Sequence, residues 1–253
     1  MASAAEIVSA GSRCSLTRSV LEEWAEAGTP RQREYLLGYL EAEVASREAS
    51  RRARLLRAAA VPVAKDLAGY DWSPVSFPDG FGRPDLESLS FPGRREDLVL
   101  MGDVGTGKTH MASALVRLAC SRGVEARFFT AASLVPRLRR AKADGRLDRE
   151  LAQVARARMV VVDEFGYLPL DADGARLLFQ VVSDSYETRP LVITTNLEFS
   201  RWATVFGDDQ MAAAVDRICH HGRLLQFRGE SYRVRHALMR GGSKAVTERL
   251  ESE

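Results

Sequence analysis

Gly102-Asp103-Val104-Gly105-Thr106-Gly107-Lys108-Thr109 follows the spacing Gly-x-x-x-x-Gly-Lys-[Ser/Thr], and this stretch decides the fold. Glycines at these positions let the backbone curl so that successive N–H groups converge on an anion. A helix beginning at the end of the curl adds its partial positive charge to the same point. The flanking residues supply the required context: the apolar run Leu98–Met101 reads as a strand before the loop, and Thr109–Ser121 reads as an amphipathic helix after it. A glycine-rich turn carrying a solvated lysine would need neither neighbour. Gly102 to Thr109 and His110 are therefore the expected nucleotide-phosphate residues. Lys108 is placed to bridge the β- and γ-phosphates and the Thr109 hydroxyl to ligate Mg²⁺, with Thr109 and His110 adding backbone N–H donors.

A second acidic element lies further along the chain. Met159-Val160-Val161-Val162 reads as a buried strand ending in Asp163-Glu164. Carboxylates at the C-terminal end of a parallel strand reach the ligand edge of the sheet. Asp163 is expected to hold Mg²⁺ directly or through water. Glu164 is expected to orient and deprotonate the attacking water. A third strand, Leu191–Thr195, is followed by Asn196, whose neutral amide suits a water or the γ-phosphate, or else simply forms a turn.

Short apolar runs recur outward from these motifs: Leu98–Met101, Ala126–Phe129, Met159–Val162, Leu191–Thr195 and Leu224–Phe227. Between them lie the helical stretches Thr109–Ser121, Leu134–Ala143, Ala172–Tyr186 and Asp209–His220. Strands alternating with helices give crossover connections and an α/β fold, a parallel sheet covered by helices on both faces. Before them, residues from about 30 to 60 read as helix, with Thr29 as cap, Pro30 in the first turn, the stripe Leu36, Leu37, Leu40, Val44 and another beginning at Leu55 and Leu56. The expected organisation is a small helical N-terminal domain over 1–68, a Gly/Pro/aromatic linker over 69–95 packing Trp72 and its phenylalanines, a nucleotide-binding domain over 96–242 and a tail over 243–253.

Composition narrows the classes further. Of 253 residues, 45% are apolar and 28% charged, enough for a sizeable core. No long uncharged apolar stretch suits a membrane span, and no basic-then-apolar leader pattern opens the chain. Cys14, Cys120 and Cys219 are odd in number and far apart, which fits a reducing cytoplasm better than a disulfide scaffold. The cytoplasm is the expected location.

The three motifs, in this order, resemble the AAA+ ATPase core. Asp163-Glu164-Phe165-Gly166-Tyr167-Leu168-Pro169-Leu170, the run from Ile193 to Trp202, Asp216-Arg217-Ile218, His220-His221-Gly222 and Gly229-Glu230-Ser231-Tyr232-Arg233 are similar to the IstB family, ATP-binding helpers of insertion-sequence transposases. The resemblance runs from about residue 30 to about residue 241. It implies an AAA+ P-loop core with ATP and Mg²⁺ as cofactors. It also implies a homo-oligomer that forms with ATP around duplex DNA and a partner transposase that stimulates hydrolysis, the N-terminal helical domain serving oligomerisation and DNA or partner binding. By position Arg217 matches the family's arginine finger, acting on the nucleotide of a neighbouring subunit, and Arg233 a sensor-type arginine. Read from the residues alone, Arg217 is a surface arginine paired with Asp216 or Asp209. The related DnaC-like replicative helicase loaders are the alternative reading. A metabolic P-loop kinase is disfavoured, because Asp163-Glu164 suits water as the acceptor and no arginine-rich lid is evident.

Two basic clusters are candidates for duplex contacts, or else solvated helix faces: Arg47, Arg51 and Arg54 on the long helix, and Arg137, Arg139, Arg140 and Lys142 after the second strand. No base-reading signature is present, so the expected binding is to backbone and shape with weak sequence preference. Cys219, His220 and His221 lack a second group at zinc spacing and read as a helix end. Trp24, Tyr35 and Tyr39 read as helix-packing residues.

Overall fold

The computed structural model describes residues 2–167, 170–206, 215–218 and 220–229. Arg233, Cys219, Asp209 and the tail 243–253 lie outside the described residues. The chain forms two compact units, one up to Leu55 and one from Leu56 onward.

The first unit is helical. Helix α1 spans Ala4–Arg13, α2 Arg18–Ala27 and α3 Pro30–Ala59. A reciprocal cap starts α1, in which Ser3 Oγ accepts from the Glu6 N–H while the Glu6 carboxylate accepts from the Ser3 N–H at 2.8 Å. Thr29 and Gln32 make the same exchange at the start of α3. Ile7, Ala10 and Cys14 meet Leu21 and Ala25, with Leu40 and Val44 of α3 closing the core. Both first helices lie in the stretch read as a helical N-terminal domain, a reading that gave them no bounds of their own. Trp24, Tyr35 and Tyr39 do not pack as expected: they are 67%, 80% and 61% exposed. The aliphatic stripe fills this core, and the aromatics fall on the outward turns.

The second unit is built on a six-stranded sheet. Its elements are β1 Val75–Ser76, α4 Arg83–Ser88, β2 Asp97–Gly102, α5 Lys108–Ser121, β3 Ala126–Thr130, α6 Ala131–Ala143, α7 Leu147–Ala155, β4 Met159–Asp163, α8 Ala172–Ser185, β5 Leu191–Thr195, α9 Phe199–Phe206 and β6 Gly222–Phe227. The strand order is β1-β6-β2-β5-β4-β3. Five strands run parallel, and β1 adds to β6 antiparallel. β4 and β5 are buried along their whole length, which explains their unbroken apolar runs. Val160, Val162, Leu178, Val181, Ile193 and Trp202 form the centre of the main core. Residues 215–218 are helical, as are His220 and His221. No described helix is long and apolar enough to cross a membrane.

This order sets β5 between β2 and β4, so the C-terminal ends of all three meet at one edge. At the opposite edge Asp97 opens β2, only 7% exposed, and accepts from the Leu191 N–H at 2.7 Å. Burial pushes its carboxyl up from the usual 3.8 to about 7, against the opposing pull of the Leu191 amide. Between these values the folded protein keeps a proton that the unfolded chain has released, so stability falls as pH rises across that window. Asp97→Asn keeps an oxygen to accept from Leu191 but cannot ionise. Its melting temperature relative to wild type should therefore climb by several degrees between about pH 4 and pH 7. Parallel melting curves of the two proteins across this range would show that Asp97 stays ionised.

Candidate functional site

The loop after β2 is held by its neighbours before any ligand is considered. Gly102 pairs with Phe227 of β6, and a Cβ at Gly102 would stand 2.1 Å from the Phe227 carbonyl oxygen. Only glycine fits there. Lys108, 6% exposed, turns back into the curl, and its Nζ donates to the carbonyls of Gly102 at 2.7 Å and Asp103 at 2.6 Å. Thr106 Oγ1 donates to the Asp103 carbonyl at 2.7 Å. Gly107 takes a left-handed conformation, φ +100°, and its carbonyl accepts the first turn of α5 from Met111 N at 2.9 Å. An ammonium thus sits inside a ring of backbone, at the N-terminus of a helix, the arrangement expected for a triphosphate.

A cavity of about 870 Å³ opens over this loop. Gly105 to His110 line its floor, Glu164 and Thr194 one wall, and Val63, Lys65, Gly69, Tyr70, Asp71, Ser73 and Pro74 another. This second wall was not legible in the sequence. Tyr70 Oη donates to the Gly107 carbonyl at 3.4 Å, and a Cβ at Gly107 would come within 2.8 Å of that hydroxyl. The Tyr70 ring meets His110 edge-on at 4.9 Å, while His110 Nε2 donates to the Asp66 carbonyl at 2.9 Å. Burial raises the Tyr70 phenol above its ordinary pKa, so it stays a neutral donor. Arg228, just beyond β6, adds a cation to the same lining, and its backbone N–H donates to the Pro74 carbonyl at 2.8 Å.

The acidic pair sits where β4 ends. Asp163 is 2% exposed, and its Oδ1 accepts from Thr109 Oγ1 at 3.0 Å and from Thr194 Oγ1. Glu164 follows at φ +59°, a left-handed conformation that costs a non-glycine residue about 1–2 kcal/mol. Such strain in a residue on a cavity wall points to a constrained role. Thr109 and Asp163 offer two hard oxygens side by side. Mg²⁺ is commonly held by so few protein oxygens, with substrate phosphates and water completing its shell, so these residues fit that ion. Among the described residues no group of three or more His, Cys, Asp or Glu is arranged to hold a metal by itself.

Other expected residues lie apart. Asn196 is exposed and does not line the cavity. A turn closes at that point, Thr195 Oγ1 accepting from Leu197 N at 3.0 Å, and carries Asn196 outward. Arg217 also lies off the cavity. Its Nη1 donates to Ser183 Oγ at 2.9 Å, with its guanidinium 5.9 Å from the Phe179 ring and 5.6 Å from the Tyr186 ring. On α3, Arg47 pairs with Glu43 at 2.7 Å and donates to the Cys14 carbonyl, while Arg51 and Arg54 are exposed. On α6, Arg137 pairs with Glu150, Arg139 with Asp171, and Lys142 with Asp173. The Lys142 hydrogen bond first, then the nearby arginines, hold Asp173 below the usual carboxylate range. Arg140 is exposed.

The chain matches the IstB-like ATP binding protein family over residues 20–239. It is 35% identical over 218 residues to the ATP-binding protein of insertion sequence IS5376 from Geobacillus stearothermophilus, spanning 86% of this chain and 87% of that one. It is 36% identical over 207 residues to the ATP-binding protein of insertion sequence IS21 from Pseudomonas aeruginosa, covering 80% of this chain and 77% of that one. The crystal structure of the DnaC helicase loader superposes with a TM-score of 0.50 at 21% identity, over 69% of this chain and 99% of that chain, a likeness of fold.

Proposed function

Because this chain belongs to the family of IstB-like ATP-binding proteins with an AAA+ P-loop core, we propose that it is an Mg²⁺-dependent ATPase. In this reading it assembles on duplex target DNA and serves a partner transposase. One observation carries the ATPase reading: Thr109 at the head of α5 hydrogen-bonds Asp163 at the end of β4, beside Glu164 on the wall of the same cavity.

Each residue then has a defined task. Lys108 and the N–H groups from Gly105 to His110 hold the triphosphate. Asp163 and Thr109 would hold Mg²⁺, which when bound would supply positive charge against the phosphates. Glu164 accepts a proton from water as that water attacks the γ-phosphorus, leaving ADP and phosphate. Asn196 is exposed and outside the cavity lining, so it takes no task at this site. Arg233 is assigned, as a sensor-type arginine, to the same nucleotide as Arg217, as the family resemblance suggests.

Arg217 is assigned to a neighbouring subunit's γ-phosphate, and its position off its own cavity supports action in trans. A finger supplied in trans contributes ~10³–10⁵ in rate, so hydrolysis depends on assembly. For DNA, the ion pairs on α6 lower the charge that Arg137, Arg139 and Lys142 bring to phosphates. Arg54 and Arg140, both exposed, are the stronger contacts, with Arg51 and the Glu43-paired Arg47 beside Arg54 on α3, all acting on the backbone with salt-dependent affinity. The insertion-sequence relatives, at 35–36% identity, favour a transposase over a helicase as the partner.

Sedimentation of the purified protein with a non-hydrolysable ATP analogue and duplex DNA tests the assembly. A mass several times the monomer's is expected with both present. Arg217→Ala should bind ATP as well as wild type, yet hydrolyse it about 10³-fold more slowly under assembling conditions. A protein that stays monomeric throughout, or an Arg217→Ala variant at full rate, would overturn this part of the proposal.

A further inference from the structure

Thr194 is a threonine on β5, 2% exposed, between the phosphate-loop strand and the acidic strand. Its hydroxyl makes two bonds through one atom. Thr194 Oγ1 donates to Asp163 Oδ1 and accepts from the Glu164 N–H at 3.0 Å. Its backbone carbonyl accepts from the Phe165 N–H at 2.9 Å. Next to it, Thr195 Oγ1 donates to the Phe165 carbonyl at 2.9 Å. The turn out of β4 is thus gripped at three successive residues, and Glu164 in its middle sits at φ +59°.

This pattern is specific chemistry. A hydroxyl is the smallest side-chain group that donates and accepts at one atom. The branched Cβ of threonine fixes its rotamer on a strand. A buried threonine that needed only to be satisfied could bond a carbonyl of its own strand. Here it reaches the neighbouring strand and binds both the carboxylate proposed to hold Mg²⁺ and the amide of the proposed base.

We propose that Thr194 is the positioning residue of the hydrolytic site: its hydroxyl sets the Asp163 carboxylate for Mg²⁺ and pins the left-handed turn that presents Glu164. The inference rests on the ATPase reading. Residues that orient a metal ligand from behind change metal affinity or activity by about 10–100-fold when altered.

Three variants separate this from a packing role. Thr194→Val keeps the shape and removes the hydroxyl. Thr194→Ala removes it with less bulk, in case the valine variant does not fold. Thr194→Ser restores it. Each is first checked by its melting temperature without nucleotide. ATP affinity is then titrated in EDTA and again in Mg²⁺, and turnover is measured with duplex DNA present. Valine or alanine at 194 should leave affinity in EDTA unchanged, abolish the gain that Mg²⁺ gives, and lower kcat about 10–100-fold. Serine should keep both within a few-fold. Wild-type Mg²⁺ dependence and kcat in the valine or alanine variant would overturn the inference alone, as would a serine variant as impaired as they are. Wild-type protein that binds no ATP would overturn the ATPase reading, and this inference with it.

Discussion

Glu164→Gln should bind ATP with wild-type affinity and turn it over about 10²–10⁴-fold more slowly, the span that a positioned general base contributes. Glutamine keeps the size and hydrogen-bonding reach of glutamate but cannot take up the water's proton. Its backbone can adopt the left-handed conformation of Glu164 at the same cost, so the turn held by Thr194 should survive. The variant should therefore accumulate with ATP uncleaved and stay assembled on DNA where wild type releases it. Single-turnover hydrolysis and sedimentation on the same samples measure both effects. Hydrolysis at the wild-type rate would remove Glu164 from its assigned role.

Lys108→Ala should lose ATP binding by about 10²-fold or more, since one buried ammonium serves as the charge-assisted donor to the phosphates. The loop itself depends on this side chain, because its Nζ bonds to the Gly102 and Asp103 carbonyls. Its removal leaves two carbonyls without that donor, so a lower melting temperature without nucleotide is expected as well. The two effects separate cleanly. Nucleotide should raise the melting temperature of wild type and leave that of Lys108→Ala unmoved, because only a ligand that binds the folded state stabilises it. Unchanged ATP affinity in this variant would refute the loop assignment.

How much of this was legible in the sequence follows from how local each signal is. The phosphate loop is contiguous, and its glycines, lysine and threonine announce themselves by spacing alone. The parallel strands were readable because burial on both faces leaves unbroken apolar runs, as in Val160-Val161-Val162 and Leu191-Val192-Ile193. β1 was not readable: it is two residues long, sits among prolines and glycines, and exists only because β6 offers an edge. The wall at Tyr70 was hidden for the same reason. Its contact with Gly107 joins residues 37 apart in sequence, and nothing in the Gly69–Ser73 stretch itself reveals it. Thr194 read as an ordinary β-branched strand residue, and only the strand order shows that its hydroxyl reaches β4. Trp24, Tyr35 and Tyr39 misled in the opposite direction, since helical spacing gives a stripe but does not say which stripe the core takes.

Calorimetric titration of the purified wild-type chain with ATP in Mg²⁺, with Lys108→Ala run alongside, reaches the central claim most directly. Saturable binding of one nucleotide per chain, weakened by EDTA and absent in the variant, is the predicted result. A chain that takes up no ATP, or takes it up equally with and without Lys108, would contradict the assignment of the cavity over the Gly102–Thr109 loop.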